Sequence, residues 1–288
     1  MGLGRPIRIG EIDYANAWPL FHGLAQQGTC GNDSYELVAQ VPSRLNGLLS
    51  EGKLDVAAIS SFSYGQFSEQ YRLLPGLSVG SVGKVHSILL FLKEPIHVTK
   101  PKKIALTSAS ATSVNLLKII MALRFQCTPD YITTEPVLDE MLHHADAALL
   151  IGDPAIRASW LSHGLHMMDL GELWHDWTGL GMTYAVVAAR RDMIDREPKL
   201  VRAVGSMLLE TKRDNLSHVD DLIVHACARI GGSRPYWTTY FRSLQYDFDS
   251  RLQDGLSLYF KYARQLGLLQ QETKIAFLEE QSAYKVNE

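Results

Sequence analysis

Lys103-Ile104-Ala105-Leu106, then Thr107-Ser108-Ala109-Ser110-Ala111-Thr112-Ser113, then Val114-Asn115-Leu116-Leu117-Lys118-Ile119-Ile120-Met121 reads as a short strand, a hydroxyl-rich turn and an amphipathic helix. Val114, Leu117, Ile120 and Met121 recur at helical spacing, and a strand running straight into a helix is the repeating step of an α/β fold. The turn carries five hydroxyls: Thr107, Ser108, Ser110, Thr112 and Ser113. Helix N-termini expose unpaired N–H groups at the positive end of the dipole, so such a turn points to a cradle for a carboxylate. Ordinary N-capping by Ser110 or Thr112 needs one of these hydroxyls and leaves four to explain.

The pattern repeats on both sides. Residues 7–10 read as a strand before a helix at 17–26, 35–41 as a strand before a helix at 43–50, and 55–59 as a strand before the segment 60–66. Beyond Pro95 and Pro101 come the strand at 103–106, a helix at 113–125, a strand at 131–133, a helix at 138–143 and a strand at 145–151. Two further apolar runs, Ser87-Ile88-Leu89-Leu90-Phe91 and Tyr184-Ala185-Val186-Val187-Ala188, flank this second set and suit paired crossover strands. The expected division is therefore residues 1–92 with 184–288 as a first, discontinuous lobe, and 93–183 as an inserted second lobe. From about Ile194 the chain reads as helical, and Leu252, Leu256, Tyr259, Ala263 and Leu266 form one apolar stripe. A ligand is expected between the lobes, where strand ends supply Asp13 to Asn16, Ser60-Ser61, Thr107 to Ser113 and Gly152-Asp153.

Composition narrows the classes. The 288 residues are 46% hydrophobic and 20% charged, with a net charge of -3, which suits a globular protein and not a nucleic-acid binder. Three scattered cysteines suggest neither a disulfide framework nor a zinc site, and fit a reducing cytoplasm. No run approaches the roughly 18 apolar residues of a membrane span, and the amino terminus leads into a strand, so a membrane partner is not expected. His143-His144 and the pair His163 and His166 read as surface histidines, leaving no metal to expect; His22 is the better cleft candidate.

Six blocks then carry a resemblance. Ile9-Gly10 with Asp13-Tyr14-Ala15-Asn16-Ala17-Trp18-Pro19-Leu20, Gly52 to Ser61, Val85-His86-Ser87-Ile88-Leu89-Leu90-Phe91, Ser110-Ala111-Thr112-Ser113-Val114, Ala145 to Asp153, and Leu170-Gly171-Glu172 with Trp174 and Trp177-Thr178-Gly179-Leu180 follow one another in order. Together they resemble the chorismate dehydratases of menaquinone biosynthesis. The resemblance implies a two-lobed periplasmic-binding-protein-like (type II) α/β fold with two crossover strands and a helical C-terminal segment. It also implies a cytoplasmic, cofactor-free lyase of the futalosine route that turns chorismate into 3-[(1-carboxyvinyl)oxy]benzoate and water. The oligomeric state is left open.

On that reading Asn16 is the expected catalytic residue, its amide donating to the departing oxygen or orienting a carboxylate; it can equally cap the helix that holds Pro19. An amide is no base, which leaves a carboxylate of the substrate to take the proton. Tyr14, Ser60, Ser61, Ser87, Thr107, Ser108, Ser110, Thr112, Ser113 and Asp153 are the expected substrate contacts, with helix capping the alternative for Ser60, Ser61 and Asp153. His86 joins them, standing where many members carry arginine, so a titratable imidazole replaces a permanent charge; Lys84 reads as a solvated lysine. Trp174 and Trp177 read as packing between lobes. Two other functions fit the same architecture: a cytoplasmic small-anion binding or sensing protein, and the dihydroxynaphthoate synthase of the same pathway.

Overall fold

The computed structural model describes residues 4–31, 33–161 and 164–279, so His163 lies outside the described residues. In chain order the first elements are β1 (Ile7–Ile12), α1 (Trp18–Phe21), β2 (Gln27–Cys30), β3 (Asp33–Gln40), α2 (Pro42–Ser50), β4 (Val56–Ser60), α3 (Ser61–Gln66), β5 (Tyr71–Ser81) and β6 (Ile88–Leu92). There follow β7 (Lys103–Thr107), α4 (Ala111–Ile119), β8 (Asp130–Thr134), α5 (Leu138–His144), β9 (Ala147–Ile151), α6 (Gly152–Ser159), β10 (His166–Asp169), α7 (Leu170–Thr178) and β11 (Met182–Arg190). The rest is α8 (Arg191–Arg196), α9 (Pro198–Ser217), α10 (Val219–Arg229), α11 (Arg234–Ser243), β12 (Leu244–Gln245) and α12 (Ser250–Gln265).

Two sheets organise the molecule. A seven-stranded sheet runs β12-β5-β11-β4-β1-β3-β2, and a five-stranded sheet runs β10-β6-β9-β7-β8. In the first, β1 is parallel to β3 and β4, and β11 is antiparallel to both β4 and β5. In the second, β7 is parallel to β8 and β9, while β6 lies antiparallel between β9 and β10. The central strands β4, β6 and β9 are buried along their whole length, as strands covered on both faces must be.

The two-lobed α/β architecture is as expected, but the first boundary moves. Ile88–Leu92 pairs with Ile151 to Ala147 and belongs to the second sheet, so the chain leaves the first lobe before residue 88 and not at 92. The return strand β11 lies wholly in the first sheet, between β4 and β5.

Two local expectations also change, and one strand had none. The helix expected at 17–26 is a 3-10 turn, Ala15–Ala17, and the single α-turn α1, because Gly23 takes φ +87 and turns the chain into β2, which pairs with β3. Strand β5 escapes the alternation pattern because Pro75 and Gly76 interrupt it; there its register against β11 slips between Val186/Ala188, where Ser78 and Leu73 are the respective partners. The helix expected at 113–125 starts two residues earlier, at Ala111, and passes into a π-turn over Ile120–Arg124.

The stripe on α12 buries Leu252, Leu256, Tyr259 and Ala263, and the helix packs on β11, α3 and α4, touching both lobes. Its tail runs back over the first sheet: Phe277 bridges Leu73, and the Tyr64 hydroxyl donates to Lys274 O while accepting the Ala276 N–H.

Gly255 is where α12 comes closest to the body of the protein. A Cβ there would lie 1.8 Å from the carbonyl oxygen of Gly181, which also accepts the Trp174 indole N–H at 3.0 Å. Alanine inside a helix normally stabilises by about 1 kcal/mol over glycine. Here steric overlap decides the sign. Gly255→Ala is expected to destabilise the fold by about 2 kcal/mol, as overpacked cores do, read as a lower urea midpoint at unchanged slope.

Candidate functional site

Strands β1 and β4 are adjacent and parallel with Gly10 opposite Ala57, so the segments that leave their carboxyl ends, Asp13 to Asn16 and Ser60-Ser61, emerge side by side. Asn46 of α2 organises the second of them. Its Oδ1 accepts the Ser60 N–H at 2.9 Å and its Nδ2 donates to Ser60 Oγ at 3.2 Å. Ser61 is fully buried, and its hydroxyl has no hydrogen-bond partner. Asn16 is half-buried, yet its Oδ1 is enclosed and equally without a partner. Buried polar atoms are almost always paired, so two orphans at neighbouring strand ends call for a reason.

The opposite edge belongs to the second lobe. Ser110 Oγ caps α4 by accepting the Ser113 N–H at 3.2 Å and donates to Ser113 Oγ at 3.2 Å. Thr107 Oγ1 accepts the Ala109 N–H at 3.1 Å. Thr112 Oγ1 accepts the Phe62 N–H at 3.1 Å, so it caps α3 of the other lobe. Ser108 points out to solvent. The expectation that a single cap would leave four hydroxyls free is therefore corrected: four of the five are held in bonds within the protein. Thr107, Thr112 and Ser113 are acceptors in those bonds, and each keeps a proton to donate.

The two edges face and bind each other. Ala15 N–H donates to Asp153 Oδ1 at 3.1 Å, and Ser43 N–H to Ala109 O at 3.0 Å. Tyr259 of α12 donates to Thr112 O at 3.1 Å, and Tyr240 of α11 to Ser87 Oγ at 3.1 Å. The Tyr14 ring lies on Gly152, where φ is +61 and a Cβ would fall 2.7 Å from the ring. Tyr14, Asn16, Ser61, Ser87, Thr107, Thr112 and Asp153 thus line one closed seam between the lobes.

His86 stands at the rim with φ +61, its N–H held by Asp169 Oδ2 at 2.7 Å. Asp169 also accepts the amides of Val85, Gly171 and Glu172, which anchors the crossover to α7. Burial lowers the His86 pKa more than Asp169 raises it, so the imidazole is neutral at physiological pH. Lys84 is exposed and pairs with Glu172 at 3.3 Å. Trp174 and Trp177 pack on α12, Trp177 stacking on Tyr262 at 5.1 Å.

His22 lies behind the seam. It lines a cavity of about 140 Å³ with Glu11, Asp13, Trp18, His225 and Arg229, its ring 4.8 Å from that of His225. Arg229 pairs with Asp13 and covers the Trp18 ring at 5.5 Å. Among the described residues, no group of three His, Cys, Asp or Glu side chains is arranged to hold a metal ion. The sequence reading missed Asn46, Tyr240, Tyr259 and Arg229. Only Asn46 lies near a recognised motif; the others arrive from helices far along the chain.

Residues 7–265 match a family model for menaquinone biosynthesis. The chain is 32% identical over 280 residues to a chorismate dehydratase of Thermus thermophilus, covering 92% of this chain and 96% of that protein. It is 22% identical over 273 residues to the 1,4-dihydroxy-6-naphtoate synthase of the same organism, covering 91% of this chain and 95% of that one. The periplasmic aliphatic sulphonate binding protein of Escherichia coli superposes with a TM-score of 0.66 at 15% identity, over 94% of this chain and 96% of its own; the likeness is one of fold.

The cavity behind the seam predicts a pH dependence. Burial, with a smaller push from Asp13, raises the Glu11 carboxyl from 4.5 to about 7 against the opposing pull of Arg229. The folded protein then holds a proton that the unfolded chain has released, so this contribution to stability is full below pH 4.5 and is lost as pH rises through about 7. Thermal melts across that interval should fall for the native chain and stay flatter for Glu11→Gln.

Proposed function

The chain belongs to the menaquinone-biosynthesis family, and from that membership we propose that it is a chorismate dehydratase working at the seam between the lobes. It is a carbon–oxygen lyase. The product is 3-[(1-carboxyvinyl)oxy]benzoate, formed when the ring loses its C4 hydroxyl and C3 hydrogen as water. Identity to the dehydratase exceeds that to the naphtoate synthase, 32% against 22% over similar spans, which favours this activity over its relative's. The futalosine route and a cytoplasmic setting go with it, supported by three free cysteines. No helix among the described residues is long and apolar enough to cross a membrane.

One observation carries the assignment of the site: Asn16 Oδ1 and Ser61 Oγ are both enclosed and unpartnered, at the ends of the adjacent strands β1 and β4. A polar ligand seated there gives both a partner. The substrate's C4 hydroxyl gives Asn16 Oδ1 its missing donor and the Asn16 Nδ2 donates to the ligand beside it, while Ser61, Thr107, Thr112 and Ser113 donate to the carboxylates, helped by the N-terminus of α4. Ser60, Ser87, Ser110, Tyr14 and the neutral His86 stand around that point of the seam. Asp153, the carboxylate among them, is engaged with Ala15, and His86, whose neutral imidazole could accept a proton, stands at the rim and not beside Asn16. A carboxylate of the substrate therefore takes the C3 proton and passes it to the leaving hydroxyl, so that atoms balance as one water. Aromatisation supplies the driving force, and the protein supplies orientation and a dry site.

Purified protein incubated with chorismate alone should replace the diene absorbance with a benzoate lighter by one water. Asn16→Ala should lower kcat by about 100-fold, the scale of losing one preorganised donor. Tight chorismate binding without turnover would favour the sensing protein, and an unchanged kcat in Asn16→Ala would remove the catalytic assignment.

A further inference from the structure

The 3-10 turn that bears Asn16 lacks a cap of its own. Tyr14 occupies the capping position with extended backbone, φ -127 and ψ 151, and makes no side-chain cap bond. The preceding Asp13 is committed to Arg229. The first amide of the turn, Ala15 N–H, is buried and would be an orphan donor next to the catalytic amide. Its acceptor comes from the other lobe, as Asp153 Oδ1 at 3.1 Å.

Asp153 is itself held firmly. It sits in the first turn of α6, 7% exposed, beside Gly152, on which the Tyr14 ring rests. Further along that helix, Arg157 donates to the carbonyls of Ile230 at 3.4 Å and Arg229 at 3.3 Å, at the end of α10. At its C-terminus Trp160 meets Tyr236 and Trp237 of α11 edge-on, with centroids 5.1 and 6.1 Å apart. Arg229 thus ties α6 through its carbonyl and Asp13 through its guanidinium, so both shoulders of the Asn16 turn are fixed from one place. Contact between the Asp153 carboxylate and a doubly negative substrate would be repulsive, which argues against a direct binding role.

We propose that Asp153 is a positioning residue that caps the Asn16 turn across the inter-lobe seam, setting the direction of the Asn16 amide without touching substrate. This rests on the dehydratase reading for its kinetic consequence, though not for its structural one. Asn in place of Asp keeps an acceptor oxygen for Ala15, whereas Ala does not.

The test compares the native chain, Asp153→Ala and Asp153→Asn in chorismate turnover and in amide hydrogen exchange at Ala15. The expected result is a kcat at least about tenfold lower in Asp153→Ala with little change in KM, since misorientation near the reacting atoms costs rate. Faster exchange at Ala15 should accompany it, and both should be largely restored in Asp153→Asn. Should Asp153→Ala not fold, Ala15→Pro deletes the donor instead, at a first-turn position that accepts proline after an extended residue, and should show the same loss of kcat. A native kcat in Asp153→Ala, an Asn variant as impaired as the Ala variant, or a rise in KM alone would each overturn the proposal. An inactive native chain would sink the dehydratase reading, while exchange at Ala15 would still decide the cap.

Discussion

Backbone N–H groups at the start of a helix must find acceptors once water is excluded, and in this protein the two lobes supply them to each other. Thr112 of the second lobe caps α3 of the first, Asp153 takes the Ala15 amide, and Ala109 O takes that of Ser43. The seam therefore carries matched polar partners alongside the apolar packing that joins the two lobes in one core. Asn16 Oδ1 and Ser61 Oγ lack such partners, and the proposed site rests on them.

Neutral donors dominate the seam. Arginine at the rim would bring a permanent charge, but here His86 is neutral and Lys84 turns to Glu172. In the proposed function an anion is then held by hydroxyls, amides and the α4 dipole, whose strength depends on exclusion of water more than on ionic attraction. Such a site favours a ligand whose shape fills it, because any gap readmits the solvent that weakens every donor.

Much of the architecture was legible because local patterns agreed with the global fold. The strand, turn and helix at 103–125 announced themselves by an apolar run, a cluster of hydroxyls and helical spacing, and β7 and α4 stand there. Strand β5 was hidden by Pro75-Gly76, residues that mark a bulge in a strand as readily as a loop between elements. The short α1 was overestimated because its apolar residues face the core of the first lobe without helical continuity. In the site, residue types were readable but partners were not. Thr112 read as a cap for its own helix and instead caps another, and Asp153, read as a contact or a cap for α6, accepts the Ala15 amide from across the seam. Tyr240 carries no local signal, and Tyr259 was legible only as part of the apolar stripe of α12, since helices far along the chain deliver both to the seam.

The place of β11 has a consequence for how the chain is made. It lies between β4 and β5 in the first sheet, yet it is translated only after the whole inserted lobe. While the ribosome is still producing residues 93–181, β4 and β5 have no partner between them and present bare hydrogen-bonding edges. The second lobe can complete its own sheet only with β10 at 166–169, moments before β11 emerges. Nascent chains therefore carry these unpaired edges from the end of β5 at Ser81 to the start of β11 at Met182, a window in which chaperones or rapid folding of the insert must keep those edges from pairing with a neighbour.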